Sequence, residues 1–327
     1  LAALGYSTGM EEDPFAEERA ELERLLEEER IYRAGLDLMV FNEATSFDYQ
    51  AGWVHFEVCR KLMEFSQAVM EERSPRMILT MPPRHGKSHL SSQRFPVWHM
   101  GRHPHHQFIV ASYGQDLAND FSRLARAVAR DPITRQIFPQ LELDPDRQSV
   151  ENWATKQNGG FKPAGVGGPI TGRGAHILIC DDPIKDDEQA QSEAYRDSLW
   201  EWYRKVFYTR LMPGGGILIM QTRWHEDDLV GRLLEASKEP GADKWEVVNF
   251  PAIAEQDEPH RKEGEALHPE RYSLEMLQSL QVTLGSFGFG ALYQQRPVPM
   301  EGGLVKKGWF QAYEESPLRL MTEIEGY

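Results

Sequence analysis

Cysteine is scarce in this sequence, and what there is has no metal-binding or disulfide pattern. Cys59 and Cys180 each stand alone, without the paired spacing that a zinc site needs. Apolar runs long enough to cross a bilayer are also missing, as is a signal-peptide pattern at the start. We therefore expect a soluble, intracellular protein with neither a disulfide framework nor a zinc site.

Positive charge is in deficit, with a formal net charge of −15 over 327 residues. This acidity argues against a protein that wraps nucleic-acid phosphates on its own. Nearly half of the excess lies in residues 11–30, where ten carboxylates face only three arginines, a net of −7. Leucines at helical spacing predict an exposed amphipathic helix there. A solvated face is its expected role, and a docking helix is the alternative.

Short apolar runs alternate with longer amphipathic stretches from residue 76 onward. This alternation predicts an α/β protein with a mainly parallel sheet flanked by helices. The predicted strands are 76–80, 107–112, 176–182, 216–222 and 245–250. The predicted helices are 51–72, a segment from the GKS sequence through Trp98, 114–131, 188–208, 226–237 and 273–281, with a glycine-rich connection at 159–174. Ligands of such sheets bind at the carboxyl ends of the strands.

The chain length fits one large α/β domain with appendages. We expect an acidic helical segment at 1–48, a core at 49–255 and a C-terminal subdomain or linker at 256–327. The last region is rich in proline and is predicted to be irregular outside its one helix.

The run ILTMPPRHGKS at residues 78–88 ends like a phosphate-binding loop, although Met81 replaces the first glycine of that pattern. Its strand, loop and helix order is the context that such a loop requires, and the prolines at 82–83 would fix its curvature. Lys87 would reach the β- and γ-phosphates, while the Ser88 hydroxyl would coordinate Mg²⁺. Backbone N–H groups at the helix N-terminus would wrap the β-phosphate. A chance occurrence of Gly-Lys-Ser is the alternative.

Two carboxylates, Asp181 and Asp182, end the apolar strand HILICDD. In a nucleotide-hydrolysing site Asp181 would hold Mg²⁺, and Asp182 would act as general base where a Glu is more usual. Capping of a loop or of a helix N-terminus is the alternative. The order of the two motifs, with the strand QFIVAS between them, favours the nucleotide site.

Polar residues also end the following strand. Gln221 or Thr222 would contact the γ-phosphate or the attacking water there. The acidic residues at 226–228 suit the first turn of the next helix, so a helix cap is the bland alternative, and both can hold.

Four stretches, PPRHGKS, GVGGPITGRGAHILICDDP, WYRKVFYTRLMPGGGILIMQTRWHEDDLVGRL and LYQQRP, occur in an order and spacing that resemble a known family. They are similar to the ATPase region of the large terminase subunit of tailed bacteriophages and prophages, over about residues 50–310. In that family the loop commonly has the form PPRxGKS, so Met81 matches the family style. The resemblance thus favours a true phosphate loop.

The resemblance implies a P-loop NTPase fold of the additional-strand type, with ATP and Mg²⁺ as cofactors. It implies a motor that drives double-stranded DNA through a portal protein into a procapsid, in the host bacterial cytoplasm. The implied partners are the portal, the small terminase subunit and further copies in a ring on the portal, with a monomer expected in isolation. A nuclease domain would begin where this sequence stops, so nuclease activity is not expected in this chain.

Two other functions compete with the packaging motor. A helicase-like DNA translocase shares the site chemistry but needs a second motor lobe. A nucleotide-gated assembly subunit would bind ATP with little turnover of its own.

The resemblance also implies roles for individual site residues. Lys87, Ser88 and Asp181 match motif positions directly, and the loop residues Pro83, Arg84, His85, Gly86 and His89 are expected to bind the nucleotide with them. Arg84 would reach the γ-phosphate, or would fix the loop through a salt bridge. Arg173 matches an arginine that resembles a finger delivered to a neighbouring subunit's ATP, and pairing with an Asp is the alternative. The adenine candidates are Tyr49, Gln50 and His55, which a helix start also explains.

Two further clusters are assigned structural roles. The histidines at 103, 105 and 106 are predicted to lie on a solvated turn, because their spacing does not suit tetrahedral metal binding. Trp200, Tyr203 and Phe207 share one helix face and are predicted to belong to the core. Three nearby basic residues remain candidates for DNA contact: Arg204, Lys205 and Arg210.

Overall fold

An eight-stranded sheet organises the computed structural model, which describes residues 15–170, 172 and 174–298. The strands are β1 (Arg76–Thr80), β2 (Gln107–Ser112), β3 (Leu143–Ser149), β4 (Asn152–Thr155), β5 (Gly160–Gly165), β6 (Ala175–Asp181), β7 (Leu211–Gln221) and β8 (Glu246–Asn249). Their spatial order is β3-β4-β5-β2-β6-β7-β1-β8. In this spatial order the strands β5, β2, β6, β7, β1 and β8 run parallel, and β3 and β4 add an antiparallel edge.

Ten α-helices lie in the described part of the chain. They are α1 (Ala16–Leu36), α2 (Leu38–Thr45), α3 (Trp53–Met70), α4 (Phe95–Arg102), α5 (Gln115–Arg130), α6 (Pro132–Ile137), α7 (Asp187–Gln191), α8 (Glu193–Trp202), α9 (Leu229–Ala236) and α10 (Leu274–Leu292). The predicted α/β fold with a mainly parallel, helix-flanked sheet is confirmed. Strand β7 lies between β1 and β6, so an additional strand separates the loop-bearing strand from the acidic strand.

Apolar side chains fill both faces of the sheet. One face packs on α3, α4 and α5 through residues such as Leu62, Phe95 and Trp98. The other packs on α8 and α9 through Leu199 and Leu229. Burial on both faces explains why the central strands read as unbroken apolar runs. A smaller cluster joins Ala252 and Ala266 to α10.

The glycine-rich stretch at 159–174 is not only a connection, because it contains strand β5 next to β2. Phe161 and Ala164 are buried in that strand. A Cβ at Gly160 would lie 2.7 Å from the carbonyl oxygen of Trp153. The glycine therefore permits a close approach of β4, and its presence hid the strand from sequence reasoning.

The predicted single helix at 188–208 is wrong, because the helix is interrupted at Ser192, between α7 and α8. The Ser192 hydroxyl accepts a hydrogen bond from the backbone N–H of Tyr195 and starts α8 as a new helix. A π-helical segment (Tyr203–Phe207) and a 3₁₀ turn (Tyr208–Arg210) follow. Tyr203 and Phe207 are buried and Trp200 packs beside them, which confirms their core role.

The C-terminal region holds more regular structure than expected. Helix α10 extends well past the predicted 273–281, with a break at Gly285, whose φ is 70°. Leu277 and Phe289 on this helix are buried in the small C-terminal cluster. Proline-rich composition around the helix concealed its length. Helices α2 and α6 and strands β3 and β4 were not predicted, because short elements leave little periodicity.

Helix α1 confirms the predicted exposed helix, and its outer leucines are solvent-exposed. Its Ala34, together with Leu38 and Phe41 of α2, joins the buried cluster on the α3 face. No helix among the described residues is long and apolar enough to cross a membrane.

Candidate nucleotide-binding site

A cleft of about 690 Å³ opens at the carboxyl end of β1, next to those of β6 and β7. Its lining residues come from four separate parts of the chain: Thr45, Ser46, Phe47, Asp48, Tyr49, Gln50, His55, Pro83, Arg84, Gly86, Lys87, Ser88, His89, Arg94, Asp182, His268 and Arg271. The predicted loop residues and the adenine candidates therefore meet in one place. Four of the lining side chains are arginine or lysine, so the cleft suits an anionic ligand.

The loop after β1 has a tightly constrained backbone. Arg84 and Gly86 both have positive φ, at 61° and 85°. A Cβ at Gly86 would lie 3.1 Å from the Tyr49 hydroxyl oxygen and 3.2 Å from the His55 ring. Glycine is required at this position for both its conformation and its lack of a side chain.

The side chains of His55 and His85 form hydrogen bonds with backbone carbonyl groups of the loop. The Nδ1 atom of His55 accepts a hydrogen bond from the Gly52 N–H at 2.8 Å, and its Nε2 donates to the His85 carbonyl oxygen at 3.2 Å. The His85 ring donates to the Pro83 carbonyl oxygen at 2.9 Å and stacks on Tyr272 at 4.8 Å. Burial lowers the pKa of both His55 and His85 to about 4, so both rings are neutral at pH 7.

Lys87 bridges two of the predicted motifs. Its ammonium nitrogen lies 2.6 Å from Asp182 Oδ2 and 3.0 Å from Thr222 Oγ1. The backbone N–H of Thr222 in turn donates to Asp182 Oδ1 at 2.8 Å. Asp182 has a φ of 44°, which is unusual for a non-glycine residue and directs its carboxylate toward this group. The ends of β1, β6 and β7 thus converge on one ion pair.

Ser88 joins the other half of the acidic pair. Its hydroxyl donates to Asp181 Oδ1 at 3.1 Å, and the Ser92 hydroxyl donates to Oδ2 at 2.7 Å. Asp181 is fully buried, and burial together with the neighbouring Asp182 raises the pKa of its carboxyl group to about 7. Carboxylate and hydroxyl oxygens are the donors that Mg²⁺ prefers, so the Ser88 and Asp181 oxygens fit that ion.

Ser92 was not predicted from the sequence. It lies on the π-helical segment (His89–Arg94) that follows the loop, and its position four residues after Ser88 places both hydroxyls on one side. That spacing was the available signal. A π-helical turn is frequent at functional sites.

Several lining residues of the cleft were also missed, among them Phe47, His268 and Arg271. Phe47, at the mouth of the cleft, is 95% exposed. His268 and Arg271 come from the region predicted to be a linker, so no local pattern pointed to them. The Arg271 side chain is exposed and forms no hydrogen bond or ion pair with the described residues, and the same holds for Arg84.

The adenine candidates have different surroundings. Tyr49 stacks on His89 at 5.0 Å, and His89 Nε2 lies 2.7 Å from Asn42 Oδ1. Both ring nitrogens of His55 already have hydrogen-bond partners, in Gly52 before α3 and in His85 of the loop, whereas Gln50 is exposed in the cleft. An adenine contact by these residues remains a prediction.

The residues at the end of β7 and just after it were predicted to contact the phosphate or to cap the next helix. Thr222 faces Lys87, while the Gln221 side chain is buried without a hydrogen-bond partner among the described residues. Arg223 pairs with the buried Asp228 at 2.7 Å, and Asp228 Oδ1 caps α9 through the Gly231 N–H. The predicted helix cap is therefore present, while contact of Gln221 or Thr222 with a phosphate or with the attacking water stays a prediction.

Arg173 lies outside the described residues, so its finger role stays a prediction. The exposed Arg204 and Lys205 pair with Glu201, and DNA contact by Arg204, Lys205 and Arg210 also stays a prediction.

The predicted solvated turn of histidines is wrong for one of its members. His106 is buried, stacks on His176 at 4.1 Å and lies 2.9 Å from the buried His99. His105 is exposed, and the side chain of His103 is half-buried. His99 and His176 could not be predicted as neighbours, because they come from α4 and β6, which are far apart in the chain. Within the described residues no group of three or more His, Cys, Asp or Glu could hold a metal ion.

Comparison with known proteins agrees with this geometry. The family model described as "Terminase large subunit, T4likevirus-type, N-terminal" matches residues 78–295. No curated protein matches the chain by sequence.

Solved structures also resemble the chain. A mutant of the large terminase ATPase domain of Thermus phage P74-26 has 13% identity and a TM-score of 0.51, covering 79% of this chain and 98% of that one. The large terminase of bacteriophage HK97 has 13% identity and a TM-score of 0.49, covering 80% of this chain and 55% of that one. The large terminase of a thermophilic bacteriophage in complex with ADP has 11% identity and a TM-score of 0.40, covering 71% and 51%.

The family match covers more than half of the chain and includes the loop, the acidic pair and the strand between them. The chain therefore belongs to the terminase large subunit family and has the P-loop NTPase fold of a large terminase ATPase domain.

Proposed function

We propose that this chain hydrolyses ATP with Mg²⁺ and is the motor domain that drives double-stranded DNA through a portal into a procapsid. The observation that carries the hydrolysis is the convergence of two distant motifs: Lys87 contacts Asp182, and Ser88 contacts Asp181. Family membership and the ATPase-domain fold support the packaging role. A related large terminase solved with ADP is in keeping with a nucleotide ligand.

In this proposal the loop amides and Lys87 bind the phosphates, with Arg84 and Arg271 free to join them. Ser88 and Asp181 hold Mg²⁺, which supplies Lewis-acid stabilisation of the phosphate charge. Gln50 reads the adenine edge, and the exposed ring of Phe47 offers the base a stacking surface.

Asp182 is the general base of the proposal, and its ion pair with Lys87 determines when it can accept a proton. A buried ammonium needs an anionic partner, and the Asp182 carboxylate lies 2.6 Å from that of Lys87. A triphosphate supplies a stronger negative charge to Lys87 and releases Asp182 to accept a proton from water. Thr222 forms hydrogen bonds with both Lys87 and Asp182 and so fixes their relative positions.

The partners and domain division are proposed on family grounds. We propose a core at 49–255, preceded by an acidic segment at 1–48 and followed by a subdomain at 256–327. The portal, the small terminase subunit and further copies of this chain in a ring would complete the machine. DNA grip would rely on that ring, because the chain is acidic overall.

Steady-state ATP hydrolysis by the chain tests the proposal, with Lys87→Ala as the decisive variant. Turnover should fall at least about a hundredfold because Lys87 serves the transferring phosphoryl group. Unchanged turnover would remove the hydrolysis proposal. Wild-type ATP binding with negligible turnover would favour the assembly subunit instead.

The finger role proposed for Arg173 has its own test. Inactive Lys87→Ala and Arg173→Ala chains are mixed, and partial recovery of activity shows that Arg173 acts on a neighbouring subunit. A lack of recovery supports a role within the same chain. DNA-stimulated turnover with and without portal protein separates a packaging motor from a helicase-like translocase.

A further inference from the structure

Gln295, in the LYQQRP motif at the end of α10, contacts the segment that carries Thr222. Its side-chain Oε1 accepts a hydrogen bond from the backbone N–H of Arg223 at 3.1 Å. The amide nitrogen of the same side chain donates to the Leu292 carbonyl oxygen. Gln295 is buried, so both bonds form away from solvent.

The bonded N–H lies next to the candidate site. Two successive backbone N–H groups have different acceptors. The N–H of Thr222 donates to Asp182 at 2.8 Å, and the N–H of Arg223 donates to Gln295. A shift of this peptide would displace the Thr222 hydroxyl from Lys87. The orientation of the proposed base therefore depends on where Gln295 holds the chain.

The Arg223 segment is fixed on its other side as well. The Arg223 guanidinium pairs with Asp228, whose carboxylate is fully buried and caps α9. Gln295 itself has a φ of 57°, a conformation that non-glycine residues seldom adopt. Such strain persists only where surrounding contacts determine it, and it is concentrated at functional sites.

The adjacent glutamine has a different task. The Gln294 side chain bonds the backbone of Ile253 twice, accepting from its N–H and donating to its carbonyl oxygen, both at 2.9 Å. These bonds join α10 to the segment before it and do not reach the cleft. Gln294 is therefore a matched control, being the same residue type at the same helix end.

We propose that Gln295 is a positioning residue for hydrolysis. It holds the Thr222–Arg223 peptide so that Asp182 and Thr222 keep their orientation toward Lys87, and it makes turnover dependent on the placement of α10. This inference rests on the proposed ATP hydrolysis.

The test compares Gln295→Leu with Gln294→Leu in ATP turnover, nucleotide affinity and thermal unfolding. Gln295→Leu should lower kcat about tenfold or more, because an oriented hydrogen bond next to the base is lost. The Kd for a slowly hydrolysed ATP analogue should stay within about twofold. Gln294→Leu should lower the Tm and leave kcat within about twofold.

Gln295→Glu serves as the conservative variant, since it keeps the acceptor for the Arg223 N–H. Its kcat should lie between those of wild type and Gln295→Leu, and it carries the comparison if the leucine variant does not fold. Equal kcat in the Gln294 and Gln295 variants would overturn the inference. Lys87→Ala is measured in parallel. Turnover that is unchanged in Lys87→Ala removes the proposed function. Turnover that is lost in Lys87→Ala but unchanged in the Gln295 variants removes this inference alone.

Discussion

Lys87, Asp182 and Thr222 form the smallest unit on which the site depends. The ammonium is buried, and the Asp182 carboxylate and the Thr222 hydroxyl satisfy it. The same contacts oppose nucleotide binding, because the phosphates must replace Asp182 as the partner of Lys87. Affinity and chemistry should therefore respond in opposite directions when Asp182 changes.

Asp182→Asn should lower kcat by about 10² to 10⁴ if Asp182 is the general base. The same change removes the negative charge that holds Lys87, so the Kd for an ATP analogue should stay equal or become smaller. Turnover and equilibrium binding, measured on one preparation, give both numbers. Asp197→Asn on the protein surface is the control, and kcat within twofold of wild type for Asp182→Asn would refute the base assignment.

Gly86→Ala should abolish tight nucleotide binding. An alanine there must adopt a φ of 85° and crowd the Tyr49 hydroxyl and the His55 ring. Gly167 also has a positive φ, of 78°, but a Cβ there would meet nothing within 4 Å. Both alanine variants should lose about 1 to 3 kcal/mol of stability from backbone strain. Loss of affinity in both, or in neither, would contradict the role given to the loop shape.

At the scale of elements, the cleft is closed by a segment far along the chain. Tyr272 stacks on His85 of the loop, His268 lies edge-on to His55 at 4.9 Å, and Arg271 faces the cleft between them. Leu267 anchors the segment in the main core. The C-terminal region thus contributes a wall of the site and contacts the loop directly.

Arg271→Ala should raise the Kd for ATP about tenfold, the effect of one charge-assisted hydrogen bond. The Tm should hardly change, because the Arg271 side chain is exposed and forms no hydrogen bond or ion pair with the described residues. Isothermal titration and thermal unfolding measure the two quantities. Arg204→Ala, which removes an exposed arginine of the α8 region, is the control; equal affinities for the two variants would show that Arg271 does not contact the nucleotide.

Sequence reasoning succeeded where one element carries the whole signal. Strands such as β1 and β6 are buried on both faces and read as apolar runs, and Gly86-Lys87-Ser88 is contiguous. It failed where the signal depends on packing. Strand β5 begins with Gly160 because strand β4 approaches closely there, and Gln295 contacts Arg223 only because the fold brings them together. Neither feature leaves a periodic pattern.

At the scale of the whole molecule, the two ends of the sheet differ in chemistry. The carboxyl ends of the strands hold the basic cleft, whereas the opposite ends of β2 and β6 hold the histidine cluster formed by His99, His103, His106 and His176. The groups that face this cluster are Arg102, His105 and the Ser66 hydroxyl, which lies 2.8 Å from His99. None of them is an acid that would stabilise a protonated ring.

This cluster predicts how stability depends on pH. Burial, with neighbouring histidines, lowers the pKa of His106 to about 3 and that of His99 well below its usual value. The unfolded chain therefore binds more protons than the folded one below pH 6.5, so the stability that these neutral histidines contribute is present above that pH and is lost as the pH falls toward 3. Each such proton costs about 1.4 kcal/mol per pH unit.

Urea unfolding between pH 7.5 and 4.5 measures this effect. His106→Asn should show a shallower loss of stability with falling pH than wild type, while the exposed His105→Asn should follow the wild-type slope. Identical slopes for all three proteins would contradict the assignment of the acid sensitivity to this cluster.

The central claim is that the loop ending in Lys87-Ser88 and the pair Asp181-Asp182 serve one metal-bound triphosphate. A crystal structure of the chain with Mn²⁺ and a slowly hydrolysed ATP analogue tests it most directly, since anomalous scattering locates the metal. We predict one peak between the Ser88 hydroxyl and the Asp181 carboxylate, with Lys87 turned from Asp182 to the phosphates. A peak away from these two residues, or a nucleotide bound outside this cleft, would contradict the account.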